Sequence, residues 1–430
     1  RLLPLVADSQ IRRAVVLMGP RRVGKTVLIH HAIAELLDRG VEPSRIGYVS
    51  VDHPLYNGLG LDDFIRLLGR SGWRQPDTDP AFLFFDEIQY MRDWEIHLKT
   101  LVDSWPDLSV VASGSAAAAL RLKSIESGAG RFTDFILPPL TFYEYLVLRD
   151  LEDLLESDFA SGEYLRARET TVLNDHFLHY LNFGGYPEVV FSPQIQKDPG
   201  RFIKADIIDK VLLRDLPTLY GIQDIQELNS LFTTLAFNTA GEVSLEELAR
   251  GSGVGKNTIK RYITYLEAAF LIRVVHRIDQ NARRFRRANF FKVYLTNPSM
   301  RAALFSPMKA DGEGMGSLVE TAVFSQWFHS SSPLYYARWQ RGEIDIVSLR
   351  ADQRPEWIVE VKWSDRIVNH PKDLRALIRF CRQNGVRNVL VTTRTIRSKG
   401  RIEGVPIEFV PASEYGLTLG RNILEHEGSS

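Results

Sequence analysis

Gly19-Pro20-Arg21-Arg22-Val23-Gly24-Lys25-Thr26 fits the pattern G-x-x-x-x-G-K-[ST] at every specified position. Five apolar residues, Ala14 to Met18, run directly into it, and a helical pattern from Val27 to Arg39 runs out of it. A buried strand, a glycine-rich turn and a helix N-terminus together let backbone N–H groups wrap an anion. The glycines allow close approach, Lys25 reaches the outer phosphates of a nucleoside triphosphate, and the Thr26 hydroxyl is placed for a metal ion. The expected cofactors are therefore ATP and Mg²⁺.

Working outward, Ile46 to Val51, Phe82 to Phe85 and Leu108 to Ala112 read as further buried strands separated by helical patterns, an α/β arrangement with a parallel sheet. Phe82-Leu83-Phe84-Phe85-Asp86-Glu87 delivers two carboxylates at a strand end. Asp86 is expected to hold Mg²⁺ and Glu87 to polarise an attacking water, which is a hydrolytic role. Ser113 and Ser115 follow the next strand and either sense the γ-phosphate or simply turn the chain around Gly114. Arg131, approached through Gly128-Ala129-Gly130, is either an arginine supplied to a neighbouring copy's γ-phosphate or a surface loop residue. A homo-oligomer is expected only as far as the first role holds. A second glycine-rich string, Gly251 to Asn257, imitates a phosphate loop but has Arg250 for the first glycine and Asn257 for the hydroxyl residue.

The chain has 430 residues, 44% hydrophobic and 25% charged, which suits several globular domains and excludes overall disorder. Lys plus Arg and Asp plus Glu both number 53, so a globally basic nucleic-acid coat is excluded. The single cysteine, Cys381, forms no internal disulfide and no cysteine-rich zinc site. No apolar run approaches the ~18 residues of a membrane helix. No signal peptide is expected behind Arg1, and the expected location is the reducing cytoplasm, away from membranes.

Between Thr141 and His176 stand nine acidic residues against three basic ones at helical spacing, which reads as a helical linker. Ser244-Leu245-Glu246-Glu247 starts a helix with capping-box spacing, and a glycine-rich turn and a second helix from Lys256 to Ala269 follow, as in a helix-turn-helix. Leu271 to His276 and Phe290 to Thr296 are candidate strands of a wing. Residues 251–301 carry eleven Lys or Arg against Glu267 and Asp279, a local balance of +9. Lys256, Lys260, Arg261, Arg283, Arg284, Arg286 and Arg287 are the candidate DNA contacts, reading shape rather than sequence. The alternatives are that the module docks a protein and that this basic face pairs with the acidic stretch from Thr141 to His176.

Nearer the C-terminus, Glu320 lies on a helix, Asp345 in Gly342-Glu343-Ile344-Asp345, and Glu360-Val361-Lys362 on the next strand, whose alternation brings Glu360 and Lys362 to one face. The arrangement resembles the restriction-endonuclease-like, or PD-(D/E)XK-like, folds. That resemblance implies carboxylates holding Mg²⁺ and a lysine aiding phosphodiester hydrolysis, or else a degenerate site on the same fold. His176 and His179 have metal-ligand spacing but no third ligand, and read as a helix face.

Gly19 to Thr26, Asp86-Glu87-Ile88-Gln89, Ser113-Gly114-Ser115, Gly130-Arg131, Leu140-Thr141-Phe142-Tyr143-Glu144, Gly184-Gly185-Tyr186-Pro187-Glu188, Arg214-Asp215 and Gly342 to Asp345 together resemble a large prokaryotic family. These are the AAA-type ATPases with a C-terminal domain of unknown function and a nuclease-like tail. One departure is Asn297-Pro298, where aspartate and glycine are expected, which puts the turn there in question. The resemblance implies a parallel-sheet, AAA-like P-loop NTPase core at 1–140, a helical linker at 141–240, a winged-helix-like module at 241–305 and a restriction-endonuclease-like domain at 306–430. The function expected is an Mg²⁺-dependent ATPase that binds and remodels DNA, branched DNA included, with or without nuclease action. The alternative is an ATP-controlled signalling switch that binds a protein partner and carries an inert nuclease fold.

Overall fold

The computed structural model describes residues 2–7, 12–56, 58–77, 79–114, 130–156, 164–283, 289–330 and 332–426, in two compact units. Unit 1 comprises 1–138 with two short excursions, Arg214–Gly221 and Ala268–Phe270. Unit 2 holds the rest.

Unit 1 is built on five parallel strands: β1 Ala14–Met18, β2 Ile46–Ser50, β3 Ala81–Asp86, β4 Leu108–Gly114 and β5 Phe132–Ile136, in the order β2-β3-β4-β1-β5. Strand alternation sorts the apolar side chains onto two faces. Val15, Leu17, Phe82, Phe84 and Val111 pack with Ile29, Ala32 and Leu36, a stripe along the helix Lys25–Asp38. Val16, Met18, Leu83, Phe85, Val110 and Ala112 pack with Trp94, Leu98 and Leu101 of the helix Trp94–Ser104. Ile29 is fully buried at the centre of its stripe, so truncation to alanine costs about 2–5 kcal/mol. Because every strand is parallel, all the strand C-termini share one edge, and that edge carries Gly19, Asp86 and Ser113.

Unit 2 is built on a nine-stranded mixed sheet: β6 Glu242–Ser244, β7 Ile272–Ile278, β8 Phe290–Leu295, β9 Leu334–Trp339, β10 Gly342–Leu349, β11 Pro355–Glu360, β12 Asn388–Thr393, β13 Ser398–Ile402 and β14 Val405–Pro411. Their order is β13-β14-β12-β11-β10-β9-β7-β8-β6. One face packs on the helices Phe142–Val147, Thr170–Phe183, Met315–Gln326 and Ala412–His426, and the other on Arg375–Asn384. The expected boundary near residue 305 thus falls inside one sheet, because β7 pairs in parallel with β9 through Arg277 and Tyr336. The expected wing strands are β7 and β8, an antiparallel pair shared with this sheet. Strand β13, poor in apolar residues, was not expected; it forms a hairpin with β14 whose turn places Glu403 and Gly404 at positive φ.

The expected helical linker is only partly helical: Phe142–Val147 and Thr170–Phe183 flank a chain crossing at Leu155 and Ala167. The first of these helices is stopped at its N-terminus by a reciprocal cap between Thr141 and Glu144. The family-like string at Gly184-Gly185 proves to be a packing device. A Cβ at Gly185 would collide with the Asn297 side chain, and one at Gly184 with Tyr180. Asn297 makes its own turn, its Oδ1 accepting from Ser299 N at 2.9 Å and Ser299 Oγ at 2.6 Å, so an aspartate–glycine pair is not needed there.

Candidate functional site

The phosphate loop leaves β1 at Met18 and closes at Gly24, which caps the helix Lys25–Asp38 at φ 101, a conformation that glycine adopts without strain. A Cβ at Gly19 would collide with the Leu137 carbonyl, so only glycine fits where the loop passes the end of β5. Lys25 is 6% exposed, and its Nζ donates to the carbonyls of Gly19 at 3.0 Å and Pro20 at 2.8 Å. Burial pushes the Lys25 ammonium down to about 8, against the weaker pull of Glu87 and Asp86. Among the described residues this desolvated cation touches no carboxylate directly.

Sheet order explains the remaining partners. Strand β4 lies between β1 and β3, so Ser113 at its end bridges the loop side and the acidic side. Ser113 Oγ donates to Asp86 Oδ1 and accepts from Glu87 N at 3.3 Å. Thr26 Oγ1 donates to the other Asp86 oxygen at 2.7 Å, and the Tyr48 hydroxyl donates to it at 3.3 Å. Burial and the Asp86 charge push Tyr48 up to about 12, so it remains a donor. Glu87 sits at φ 55, a left-handed turn that aims its carboxylate off the strand end, and Gln89 Nε2 donates to it. Thr26 and Asp86 are the pair able to share a magnesium ion with a nucleotide.

Arg21 makes a contact invisible in the local sequence. Its Nε and Nη2 donate to the two oxygens of Asp215 at 2.9 and 3.0 Å, a forked pair spanning 194 positions. Burial works to lower Arg21, and Asp215 overcomes it, so the guanidinium ends above its ordinary value. Arg131 stands beside the first residue of β5, at the strand edge opposite the phosphate loop, with Nε 2.6 Å from Asp103. It takes no part in its own chain's nucleotide site. Ser115 lies outside the described residues.

The expected basic surface is smaller than its charge count. Lys256, Lys260, Arg261 and Arg283 are exposed, the first three on the outer face of the helix Lys256–Ala268, whose Ile259, Tyr262, Ile263 and Leu266 are buried. Lys256 reaches Glu246 of the preceding helix at 2.7 Å. Arg284, Arg286 and Arg287 lie outside the described residues. Arg277 lies 3.5 Å from Glu242, Arg301 lies over the rings of Phe237 and Phe305, and Lys292 is 2% exposed.

Lys292 leads into the C-terminal cluster. From β8 its Nζ lies 2.8 Å from Glu320 Oε1, 2.6 Å from Glu343 Oε1 and 3.4 Å from Asp345 Oδ1. Tyr294, two residues on, donates to Glu320 Oε1 at 2.7 Å. Asp345 sits in a register irregularity of β10 against β9, which re-aims its side chain, and its Oδ2 accepts from Val361 N at 2.9 Å. Lys362 Nζ lies 2.7 Å from Glu360 Oε1 and 3.5 Å from Asp345 Oδ2, so the expected meeting of Glu360 with Lys362 occurs.

Burial and then the Asp345 charge raise both Glu320 and Glu360 to about 7. Burial also opposes ionisation of Asp345, but Lys362 and Lys292 outweigh it and hold its carboxyl below the usual range. Burial alone would lower Lys292, yet Glu320, Tyr294, Asp345 and Glu343 raise it well above its ordinary value. Glu320, Asp345, Glu360 and Lys362 are therefore brought together as expected, but Glu320 is engaged by Lys292 and Tyr294. Lys292, Tyr294 and Glu343 were missed as members of this cluster; the available signal was a lone lysine inside the apolar run of β8, which demands a buried counter-charge. Among the described residues no group of three or more His, Cys, Asp or Glu is placed to hold a metal ion. His179 engages Tyr145 at 2.8 Å and Gln196 at 3.2 Å through its two ring nitrogens, away from any metal role.

Residues 11–146 match the family model described as an AAA domain, and the parallel sheet and phosphate loop above lie within that segment. Two domains of unknown function, DUF8612 and DUF4143, match 174–311 and 315–412. Two uncharacterized proteins of Methanocaldococcus jannaschii are similar along the chain. One is 23% identical over 421 residues, 94% of this chain and 88% of the relative; the other is 25% identical over 333 residues, 74% and 68%. Among solved structures, AMPPCP-bound DnaA from Aquifex aeolicus aligns at 14% identity and a TM-score of 0.28, over 62% of this chain and 86% of that one. Cdc6p from Pyrobaculum aerophilum aligns at 13% and 0.28, over 70% and 92%. TM-scores this low carry no argument about this chain. Among the described residues no helix is long and apolar enough to cross a membrane.

Proposed function

We propose that the chain is an Mg²⁺-dependent ATPase that couples nucleotide turnover to DNA through an exposed basic helix. The observation that carries the reading is Lys25, a buried ammonium bonded, among the described residues, to two loop carbonyls, one residue from the Thr26–Asp86 pair. A desolvated cation at a helix N-terminus binds phosphate more strongly than a solvated one. Lys25 then holds the outer phosphates, the loop N–H groups wrap the inner ones, and Thr26 and Asp86 fix the metal. Magnesium, when bound, neutralises charge on the transferred phosphoryl group. Glu87 orients and polarises the attacking water, with Gln89 fixing its carboxylate. Ser113 ties the position of Asp86 to the backbone of Glu87, which suits a γ-phosphate sensor.

DNA enters the proposal through Lys256, Lys260 and Arg261, which share the solvent face of one helix. The succession of helix Ile225–Phe237, strand β6, helices Leu245–Ser252 and Lys256–Ala268, and strands β7 and β8 supports a winged-helix reading of this region. Contact of this kind is with phosphates and reads shape. Homo-oligomerisation, with Arg131 offered to a neighbour, and a cytoplasmic location complete the proposal. A second reading keeps the ATPase, takes a protein as partner and treats the nuclease-like tail as inert. It is favoured by the occupation of the C-terminal carboxylates by lysines.

The test is ATP hydrolysis with and without single-stranded, duplex and four-way-junction DNA. Stimulation by one form, lost at high salt and lost when Lys260 and Arg261 are reversed to Glu, supports the DNA reading. Glu87→Gln should slow hydrolysis by roughly 10²–10⁴-fold with nucleotide affinity unchanged. Equal rates in Glu87→Gln and wild type would remove the water-polarising role, and turnover indifferent to every DNA would pass the lead to the protein-partner reading.

A further inference from the structure

We infer that Lys292 is the built-in counter-ion of the C-terminal carboxylate cluster, and that its ammonium occupies the point where a divalent cation would otherwise sit. An ammonium has three N–H donors. The three carboxylates around Lys292 Nζ, those of Glu343, Glu320 and Asp345 at 2.6, 2.8 and 3.4 Å, match that number. Each carboxylate is engaged a second time. Glu320 Oε1 also accepts from the Tyr294 hydroxyl at 2.7 Å, Glu343 Oε2 lies 3.1 Å from Arg338 Nη1, and Asp345 Oδ2 takes the Val361 N–H at 2.9 Å. Glu360 gives Oε1 to Lys362 at 2.7 Å and keeps Oε2 buried without a hydrogen-bond partner among the described residues. Among the described residues Glu320 Oε2 and Glu360 Oε2 are the two oxygens of these four carboxylates left over, and a divalent cation drawn to them would stand beside the Lys292 and Lys362 ammoniums that already hold the other oxygen of the same groups.

Displacing Lys292 is not a side-chain adjustment. Residue 292 lies in β8 between β6, paired through Glu242, and β7, paired through Val275, and its side chain is 2% exposed. The ring of Tyr336, 5.6 Å away, faces the ammonium on a further side. An ammonium driven from its carboxylates would be a buried charge without a partner, the costliest state for such a group. The residues present thus do not fit the metal that the resemblance implies. The same carboxylates become available to a cation when the ammonium is removed.

The experiment is Mn²⁺ uptake by the nucleotide-free full chain, read from the electron paramagnetic resonance of free Mn²⁺, so the outcome does not depend on ATP turnover. Wild type and Asp345→Asn should take up the same amount of Mn²⁺. Lys292→Met should bind one additional Mn²⁺ per chain, and adding Asp345→Asn to it should abolish that gain. Mn²⁺ uptake by wild type that Asp345→Asn removes would overturn the inference, and this arm decides even if Lys292→Met fails to fold. A folded Lys292→Met chain that gains no Mn²⁺ would overturn it equally.

Discussion

Two buried lysines, Lys25 and Lys292, are 6% and 2% exposed, yet they are opposite electrostatic objects. Lys25 donates to two backbone carbonyls and is held low, near 8, by burial. Lys292 is surrounded by three carboxylates, which raise it against the same burial effect. Burial alone therefore says nothing about whether a cation is waiting for a ligand; what the cation already touches decides it. On the function proposed above, the first lysine awaits an anion. On the inference drawn for the second, the chain supplies both the cation and its carboxylates.

Three substitutions or titrations test that contrast. The largest effect expected is on Lys292→Met, which strands buried carboxylates and should cost roughly 3–5 kcal/mol of stability in unit 2, measured by denaturant unfolding. A loss within error of zero would make the network a surface-like arrangement. Next, Lys25→Met should weaken nucleotide affinity by roughly a hundredfold, about 2.7 kcal/mol, while leaving stability equal or higher, because it removes a desolvated charge that the free protein does not compensate. A marked loss of stability in Lys25→Met would erase the distinction between the two lysines.

The smallest effect concerns protons. Lys25 titrates near 8 when folded against 10.5 when unfolded, so the folded state binds fewer protons between those values. Its penalty on stability is full below about pH 8 and is relieved as pH rises toward 10.5. Bound phosphates raise Lys25 again, so nucleotide binding at about pH 8.5 should take up a fraction of a proton, and at about pH 7 none. Calorimetry in two buffers of different ionisation enthalpy reads this directly. Identical heats at the higher pH would show that Lys25 is already charged in the free protein.

The two regions also differ in how far the residues announce them. The nucleotide site is legible because its parts are local: Gly19 to Thr26 is contiguous, and Asp86 ends an apolar run whose burial is plain. Asp215, far along the chain, and Tyr48, inside the neighbouring strand, escaped. In unit 2, Glu320, Asp345, Glu360 and Lys362 were readable as a spacing, but Lys292 was counted as part of a basic surface. A charge count over 251–301 cannot tell an outward Lys260 from an inward Lys292; strand β8, read by alternation and apolar neighbours, can. That one sheet runs across the expected boundary near 305 was hidden for a related reason. Parallel pairing of β7 with β9 joins segments about sixty positions apart, and no local pattern encodes it.

That pairing has a practical consequence for anyone who would dissect the chain. A fragment beginning at residue 306 loses β6, β7 and β8, and with them both the cover of β9 and the only lysine that reaches Glu320 among the described residues. It would present a raw sheet edge, a known route to aggregation. On the inference drawn above it would also present carboxylates stripped of their resident cation and so attract metal ions. Cleavage activity found in such a fragment is therefore to be measured again in the full chain before it is assigned to the protein.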